Sequence, residues 1–291
     1  MSHPAHRDTI FLEDAVVLSH EAFPGDQWVL RLRAPQAACR AEPGQFAHIA
    51  CDPALPMRRP ISILRASPGE GWIELLYKVV GQGTHLLSRR IAGETLSVLA
   101  PIGRPFEILG RRPLLVGGGV GMPPMVFLAD RMRGLDVQPF VILGSEVPFP
   151  FTARPSQILV PGLPDGVIGA MPLLDDWGVP SRLASRQGYP GCYDGFVTGL
   201  AEHWLTSLDD DARREVVVYA CGPHAMLEAV VSVARRYGLP CQVSLEEYMA
   251  CAVGGCAGCT VRLDTPSGPA MKRVCVDGPV FDGYQAFPPA A

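Results

Sequence analysis

The sequence predicts a multidomain α+β protein made of an antiparallel β-barrel, an α/β domain with a parallel sheet and a small C-terminal lobe. Three observations predict this architecture: short apolar runs fill residues 1–108, alternating strand and helix patterns follow, and four cysteines lie close to the C-terminus. A chain of 291 residues is long enough for two domains and a smaller piece. We place the boundaries at 1–108, 109–242 and 243–291.

The first unit alternates apolar runs with Pro-Gly and Ala-Gly turns at short spacing. Short strands in regular succession are typical of an antiparallel sandwich or barrel. The predicted strands are 15–18, 28–32, 46–49, 61–64, 72–79 and 96–99. One helix is predicted over 83–90.

The second unit alternates strands and helices, which indicates a parallel sheet. The predicted strands are 114–116, 137–143 and 215–219, and the predicted helices are 122–131 and 225–236, the second stopped by Gly238. Residues 144–195 are rich in proline and glycine and only weakly periodic, so the sequence assigns them no fold.

Composition excludes several classes of protein. Hydrophobic residues make up 48% of the chain and charged residues 19%, so a folded core is expected. The net charge of -4 argues against a general nucleic-acid binder. Residues 1–10 lack the apolar segment of a signal peptide, and the uncharged stretch 113–129 is broken by glycines and prolines. We therefore expect a cytoplasmic protein with no membrane span.

Four cysteines predict an iron–sulfur site. Cys251, Cys256 and Cys259 have the C-x4-C-x2-C spacing of plant-type 2Fe-2S proteins, and Cys275 follows after 15 residues. Zinc sites with four cysteines usually pair their ligands as two C-x2-4-C units. Because the cysteines here fall as three and one, the spacing favours the iron–sulfur cluster over zinc.

Two loops have the form of nucleotide-binding turns, since each follows a strand and opens a helix. The first loop places backbone amides and a helix dipole where a pyrophosphate could bind, although a tight structural turn would look similar. The second puts the Cys221 thiol at the carboxyl end of a parallel strand, where ligands bind in open α/β sheets. The candidate binding residues of the two loops are Gly117, Gly118, Gly119, Gly121, Gly222 and Pro223.

These motifs, taken in order, resemble the ferredoxin-NADP reductase superfamily and within it the electron-transfer subunits of NAD-linked dihydroorotate dehydrogenases. The resemblance covers most of the chain and includes the segment 272–281 around the last cysteine. In that family an Arg-Pro-x-Ser strand and the motifs after it hold FAD. The resemblance thus implies FAD contacts from Arg59, Pro60, Ile61, Ser62, Leu76, Tyr77, Lys78, Gly83 and Thr84. Lys78 stands where the family usually has arginine.

The resemblance also implies a function. Electrons from an FMN-containing dihydroorotate dehydrogenase catalytic subunit would pass by the 2Fe-2S cluster and FAD to NAD+, within a heterotetramer of pyrimidine biosynthesis. Cys221 would lie beside the contact between nicotinamide and flavin as the catalytic residue. Glu146 follows the strand 140–143, where a carboxylate would accept a bond from a ribose 2'-OH and repel a 2'-phosphate. We therefore expect NAD rather than NADP.

Two alternatives remain open from the sequence. The same scaffold serves as the NAD(P)H-dependent reductase component of oxygenase, hydrogenase or sulfur-reducing complexes, although the short spacer before Cys275 weighs against the oxygenase type. A zinc-stabilised, non-catalytic adaptor is the alternative from another class. The remaining cysteines are expected to be ordinary thiols: Cys39, Cys51, Cys192 and Cys241.

Overall fold

A closed barrel of six antiparallel strands forms the first unit of the computed structural model, which describes residues 9–289. Its strands are β1 (Phe11–Phe23), β2 (Gln27–Arg33), β3 (Phe46–Ile49), β4 (Arg59–Ser67), β5 (Trp72–Lys78) and β6 (Thr95–Ile102). They close in the order β1-β2-β5-β4-β3-β6. The helices α1 (Pro35–Arg40) and α2 (Gln82–Leu87) accompany them. The predicted barrel is confirmed, and α1 is an element that the sequence analysis missed.

The rest of the chain adds ten strands and six α-helices among the described residues, besides a single 3-10 turn at Gly119–Gly121. The strands are β7 (Arg112–Gly118), β8 (Phe140–Gly144), β9 (Arg154–Pro155), β10 (Gly169–Ala170), β11 (Ser181–Ala184), β12 (Val216–Cys221), β13 (Cys241–Ser244), β14 (Thr260–Thr265), β15 (Gly268–Arg273) and β16 (Val280–Asp282). The helices are α3 (Met122–Met132), α4 (Pro172–Asp176), α5 (Val197–Ser207), α6 (Asp210–Arg214), α7 (His224–Arg236) and α8 (Gly283–Ala286).

The second unit is built on a six-stranded sheet in the order β11-β8-β7-β12-β13-β16. The first five strands are parallel and β16 is antiparallel to β13. Strand order changes direction at β7, since β8 lies on one side of it and β12 on the other. Open α/β sheets bind their ligands at such a switch point, outside the carboxyl ends of the strands. The predicted α/β domain with a parallel sheet is thus confirmed.

The unassigned segment 144–195 completes this sheet. It forms the small β9–β10 pair and α4, and then enters β11 at the parallel edge beside β8. Arg182 of β11 is almost fully buried and donates to the carbonyls of Val167 at 3.0 Å and Ile158 at 2.8 Å. The segment is therefore an ordered connection held by one buried guanidinium.

The cysteine-rich region carries its own hairpin, β14–β15, which the sequence analysis did not predict. After the hairpin the chain returns to the large sheet through β16. The boundary proposed at residue 243 falls inside β13, and the division into three units stays a prediction. No helix within residues 9–289 is long and apolar enough to cross a membrane. The signal-peptide argument concerned residues 1–10, of which 1–8 lie outside the described residues.

Successive side chains of a barrel strand point to opposite faces and pack against different parts of the molecule. In β3, Ala47 and Ile49 point into the barrel core, whereas Phe46 packs with the cysteine-bearing region. Phe46 and Ile102 of β6 share one apolar cluster with Cys259 and Cys275. The cysteine lobe therefore packs against the outer face of the barrel.

Candidate functional site

The four clustered cysteines form two pairs. The sulfur atoms of Cys259 and Cys275 lie 3.3 Å apart and both residues are buried. The Cys251 sulfur accepts a hydrogen bond from the Cys256 amide at 3.4 Å and contacts the Cys256 side chain. A two-iron cluster takes four thiolates, two on each iron. Within residues 9–289 no three His, Cys, Asp or Glu side chains converge on one point as a single metal ion would require.

The loop that carries the first pair turns its amides toward sulfur. Ala252 and Ala257 have positive φ values of 55° and 53°, and the Gly258 amide donates to the Cys256 sulfur at 3.4 Å. Burial would raise the pKa of the Cys251 thiol, but bonds from the amides around it lower that pKa to about 7. The loop thus favours thiolate, which is the form that ligates metal.

In the second pair the Cys259 thiol donates to the Cys275 sulfur. Burial, and then the neighbouring Cys259 thiol, raise the pKa of Cys275 to about 12. Two buried thiols this close lose both protons only when a metal compensates the charge, because coordination deprotonates a thiol outright. Both pairs therefore fit a 2Fe-2S cluster held by Cys251, Cys256, Cys259 and Cys275.

Arg58 and Arg59 have different tasks at the start of β4. Arg58 donates to the Ser97 carbonyl at 2.7 Å and to its hydroxyl at 2.8 Å, which ties β4 to β6. Arg59 donates only to nearby carbonyls, those of Met57 at 2.8 Å and Arg58 at 3.2 Å. Its guanidinium lies against Gly83, where an added Cβ would be 2.5 Å from Nε. Arg59 can therefore turn its fork toward an anion such as a diphosphate.

The remaining flavin candidates sit on adjacent elements. β4 and β5 pair directly, and α2 begins a few residues after β5. The Thr84 hydroxyl accepts from the amides of Val80 at 3.0 Å and Gly81 at 3.3 Å, which closes the turn into α2. The structure places Arg59, Pro60, Ile61 and Ser62 on β4, Leu76, Tyr77 and Lys78 on β5, and Gly83 and Thr84 on α2. Ile61 and Tyr77 pack in the barrel core, whereas Leu76 packs with the second unit, so the side chains do not all share one face.

Tyr77 is anchored by a residue that sequence reasoning missed. Its hydroxyl lies 2.9 Å from Nε2 of His20, whose Nδ1 lies 2.8 Å from the Arg90 carbonyl. Burial raises the pKa of the Tyr77 phenol well above its usual range, so the hydroxyl stays protonated. His20 is 57 residues away in the chain, and only the β1–β2–β5 pairing brings it near Tyr77.

Both nucleotide-type loops meet at the switch point of the sheet. Gly117 of β7 pairs with Cys221 of β12, so the two loops leave the sheet side by side. A Cβ at Gly121 would lie 2.3 Å from the Cys221 carbonyl oxygen, and one at Gly118 would lie 2.3 Å from the Met226 sulfur. Gly121 must be glycine because main-chain atoms of the second loop pack directly on it, whereas a side chain at Gly118 would displace the flexible end of Met226.

The Cys221 side chain is fully buried beneath these loops. Burial, and then the nearby Glu246 carboxylate, raise the pKa of the thiol well above its usual range, although a bond with Ser244 opposes this shift. Loss of hydration within the surrounding protein also raises the pKa of the Glu246 carboxyl group, although the residue as a whole is exposed. Glu246 was missed because it lies 25 positions away in the chain, at the start of the cysteine-rich region. The Cys221 thiol is neutral, so it can position a ligand but not act as a thiolate.

A carboxylate and a guanidinium lie at the edge of the large sheet where the adenosine ribose is expected to bind. Glu146 follows β8 and Arg186 follows β11, two neighbouring strands, and both residues are exposed. The Arg186 guanidinium lies over the Phe196 ring, 5.2 Å from its centroid. A carboxylate here suits a ribose 2'-OH, whereas an arginine accommodates a 2'-phosphate. Arg186 was missed because its strand lies in the segment that the sequence left unassigned.

Gly121→Ala is expected to weaken nucleotide binding and stability together. The added methyl would lie 2.3 Å from the Cys221 carbonyl oxygen and 2.5 Å from the Gly222 amide nitrogen. Main-chain atoms at this distance must move, and overpacking of this kind costs about 1–3 kcal/mol. We expect a lower Tm and a higher KM for NADH. Gly69→Ala adds a methyl in open space at an exposed turn of the barrel, where the backbone has no positive φ, and an equal KM change in both variants would contradict the role of the loop contact.

Comparison with known proteins agrees with this geometry. Residues 246–286 match the iron–sulfur cluster binding domain of dihydroorotate dehydrogenase B. The electron transfer subunit of dihydroorotate dehydrogenase B (NAD+) from Desulforamulus reducens is 33% identical over 278 residues, which cover 94% of this chain and 97% of that protein. The protein of the same name from Bacillus cereus is 32% identical over 276 residues, 92% of this chain and 96% of that one.

Solved structures show the same fold. A structure of NADH-dependent reduced ferredoxin-NADP oxidoreductase, described in work on flavin-based electron bifurcation, aligns with a TM-score of 0.76 at 26% identity and covers 94% of this chain and 89% of its own. A ferredoxin reductase of carbazole 1,9a-dioxygenase aligns with a TM-score of 0.59 at 22% identity, covering 79% and 67%, and supports the fold alone.

The iron–sulfur domain and the reductase fold together support a 2Fe-2S cluster, FAD and NAD as cofactors. An electron-transfer oxidoreductase with these cofactors is a different class of protein from the zinc-stabilised adaptor considered above. With a third of its residues identical to such subunits over nearly their whole length, the chain belongs to the family of electron-transfer subunits of dihydroorotate dehydrogenase B (NAD+).

Proposed function

We propose that this chain carries electrons between NAD+ and an FMN-containing catalytic partner that oxidises dihydroorotate, in pyrimidine biosynthesis. The observation that carries the proposal is the packing of the cysteine lobe on the barrel. Cys259 and Cys275 share one apolar cluster with Phe46 and Ile102, so the elements suited to a cluster and to a flavin adjoin each other. The names of the curated relatives supply dihydroorotate and NAD+, and the words electron transfer subunit imply a catalytic partner.

Each cofactor is assigned to a separate group of residues. The four paired cysteines hold the cluster, the β4–β5 face with Arg59 and Gly83 holds FAD, and the two glycine loops receive the nicotinamide nucleotide. When bound, FAD and the cluster supply the exchange between hydride chemistry and single-electron transfer. The protein contributes orientation and exclusion of water: the buried, neutral Cys221 lies under the loops, and Tyr77 is fixed by His20.

Exposed apolar side chains beside the cysteine loop support a partner contact there. Tyr248 is 93% exposed and Val253 is 52% exposed, and both lie within a few residues of Cys251. Large exposed apolar groups near a functional group are typical of interaction sites. We propose this surface for the catalytic partner, with a heterotetramer as the assembly and the cytoplasm as its location.

Cofactor content tests the proposal directly. Protein purified without oxygen is expected to hold about two irons and two acid-labile sulfides per chain, together with FAD. Addition of NADH should bleach the flavin absorbance. Stoichiometric zinc without sulfide, or a colourless protein, would refute the proposal.

Nicotinamide preference depends on the two charges at the edge of the sheet. We expect NADH to be used in preference to NADPH, because Glu146 repels a 2'-phosphate. Glu146→Ala should move the ratio of kcat/KM values toward NADPH by about fivefold, the size of an exposed interaction of ~1 kcal/mol. Arg186→Ala should move it the other way. Comparable rates with both nucleotides in the unmodified chain would contradict the preference.

A further inference from the structure

His48 is a buried histidine without a hydrogen-bond partner. It lies in β3, it is 0% exposed, and neither of its ring nitrogens makes a hydrogen bond. Buried polar side chains in folded proteins nearly always have a partner, so an unpaired one calls for an explanation. An apolar side chain, such as those at neighbouring positions of the barrel, would fill this space without leaving a buried polar atom unpaired.

The position of His48 is between the two elements suited to cofactors. In β3 the side chains alternate, and His48 shares the outward face with Phe46, which packs in the cluster containing Met249 and Cys275. On the other edge of the strand His48 pairs with Pro60 of β4, in the Arg-Pro-x-Ser motif. The ring therefore stands where the proposed flavin strand meets the segment leading to Cys251.

The groups around the ring favour its neutral form. Burial, and then the Arg58 guanidinium, lower the pKa of His48 to about 4, and Arg59 acts in the same direction. The main-chain carbonyls of Met249 and Arg58 approach the ring and raise this pKa, in opposition to burial, but neither reaches hydrogen-bond geometry with a ring nitrogen. A neutral imidazole carries one N–H donor and one acceptor. Its donor therefore suits a carbonyl oxygen, and the carbonyl of Met249 belongs to the cysteine-bearing segment.

We propose that His48 is a positioning residue whose ring N–H donates to the main-chain carbonyl of Met249 when the cysteine loop closes around its cluster. This bond fixes the cluster-bearing segment to the barrel strand beside the flavin site. The inference rests on the proposed function, because it requires the cluster and FAD to be bound in one chain. It assigns to His48 a task that neither the cysteines nor Arg59 performs.

The test compares His48→Leu with His48→Asn. The two replacements are nearly equal in size, and only asparagine keeps an N–H donor. NADH is mixed with holoprotein, and flavin reduction and cluster reduction are followed separately by absorbance and by the EPR signal of the reduced cluster. His48→Leu is expected to slow cluster reduction about tenfold, as loss of a supporting bond around a metal site does. Flavin reduction should stay within about twofold, since the bond lies outside the flavin site. His48→Asn should recover most of the lost rate.

A packing control separates the hydrogen bond from lost contacts. Ile49→Val shortens an apolar side chain of the same strand that points into the barrel core, away from the cysteines, and removes no polar group, so it should lower stability without altering the EPR spectrum. If His48→Leu does not fold, His48→Val, whose side chain suits a strand, replaces it. Equal rates in the apolar and asparagine variants overturn the inference, whether both match the unmodified protein or both fall below it. An unmodified chain without cluster or FAD overturns the proposed function as well.

Discussion

Cys259→Ser is expected to abolish the 2Fe-2S cluster while FAD stays bound. The Cys259 and Cys275 sulfurs form a buried pair 3.3 Å apart, and serine offers an alkoxide that is far harder to form than a thiolate. Electron transfer between the partner and NAD+ should fall by more than the roughly 100-fold reached when only a supporting residue of a metal site is lost. Iron, sulfide and the EPR signal of the reduced cluster measure the effect.

Cys39→Ser is the matched control for the cluster variant. Cys39 is exposed on α1 and lies outside the cysteine loop, so its replacement should leave iron and sulfide unchanged. The NADH-dependent reduction of a small artificial acceptor should survive in both variants, because it needs only the flavin. Full sulfide content in Cys259→Ser would show that the paired cysteines do not hold the cluster.

Arg59→Ala is expected to weaken FAD binding. The Arg59 guanidinium lies at the entrance of β4 against Gly83, and its donors satisfy only nearby carbonyls in the structure. A hydrogen bond to a charged group contributes about 1.5–3 kcal/mol, which corresponds to roughly 10- to 100-fold weaker FAD binding when it is lost. Fluorescence titration of the flavin-free chain with FAD measures this change.

Two arginines provide the comparison for that result. Arg89→Ala removes an exposed guanidinium next to α2 that contacts His85, and it should leave the FAD affinity unchanged. Arg58→Ala should instead lower the Tm, because Arg58 joins β4 to β6 through Ser97. Equal FAD affinity in Arg59→Ala and the unmodified chain would assign the diphosphate to another group.

Local sequence patterns predicted most of the fold. Alternating burial in the barrel strands and the strand–glycine–helix order around Gly117 are short-range features, and both predicted the right elements. The helix α1 and the β14–β15 hairpin were missed because each element is short, and in β14 only two apolar residues, Val261 and Leu263, alternate with polar ones. β9 and β10 have only two residues each, and β11 has four, so their pairing is set by tertiary contacts such as those of Arg182.

The candidate site divides in the same way. Cysteine spacing is a local signal, and it identified the residues that the structure arranges in two pairs. His20, Glu246, Arg186 and His48 have no such signal, because each acquires its meaning from a residue far along the chain. The sequence places His48 in a strand with Phe46 and Ile49, and the strand pattern does not distinguish it from its neighbours. Only the fold shows that its ring is enclosed and unpaired.

Dihydroorotate-dependent NADH formation is the measurement closest to the central claim. The chain would be co-purified with its FMN-containing catalytic partner, and dihydroorotate and NAD+ would be added without oxygen. We predict NADH formation by the complex, none by either subunit alone, and loss of the activity in a complex assembled with Cys259→Ser. NAD+ reduction by the catalytic subunit alone, or an intact complex that forms no NADH, would contradict it.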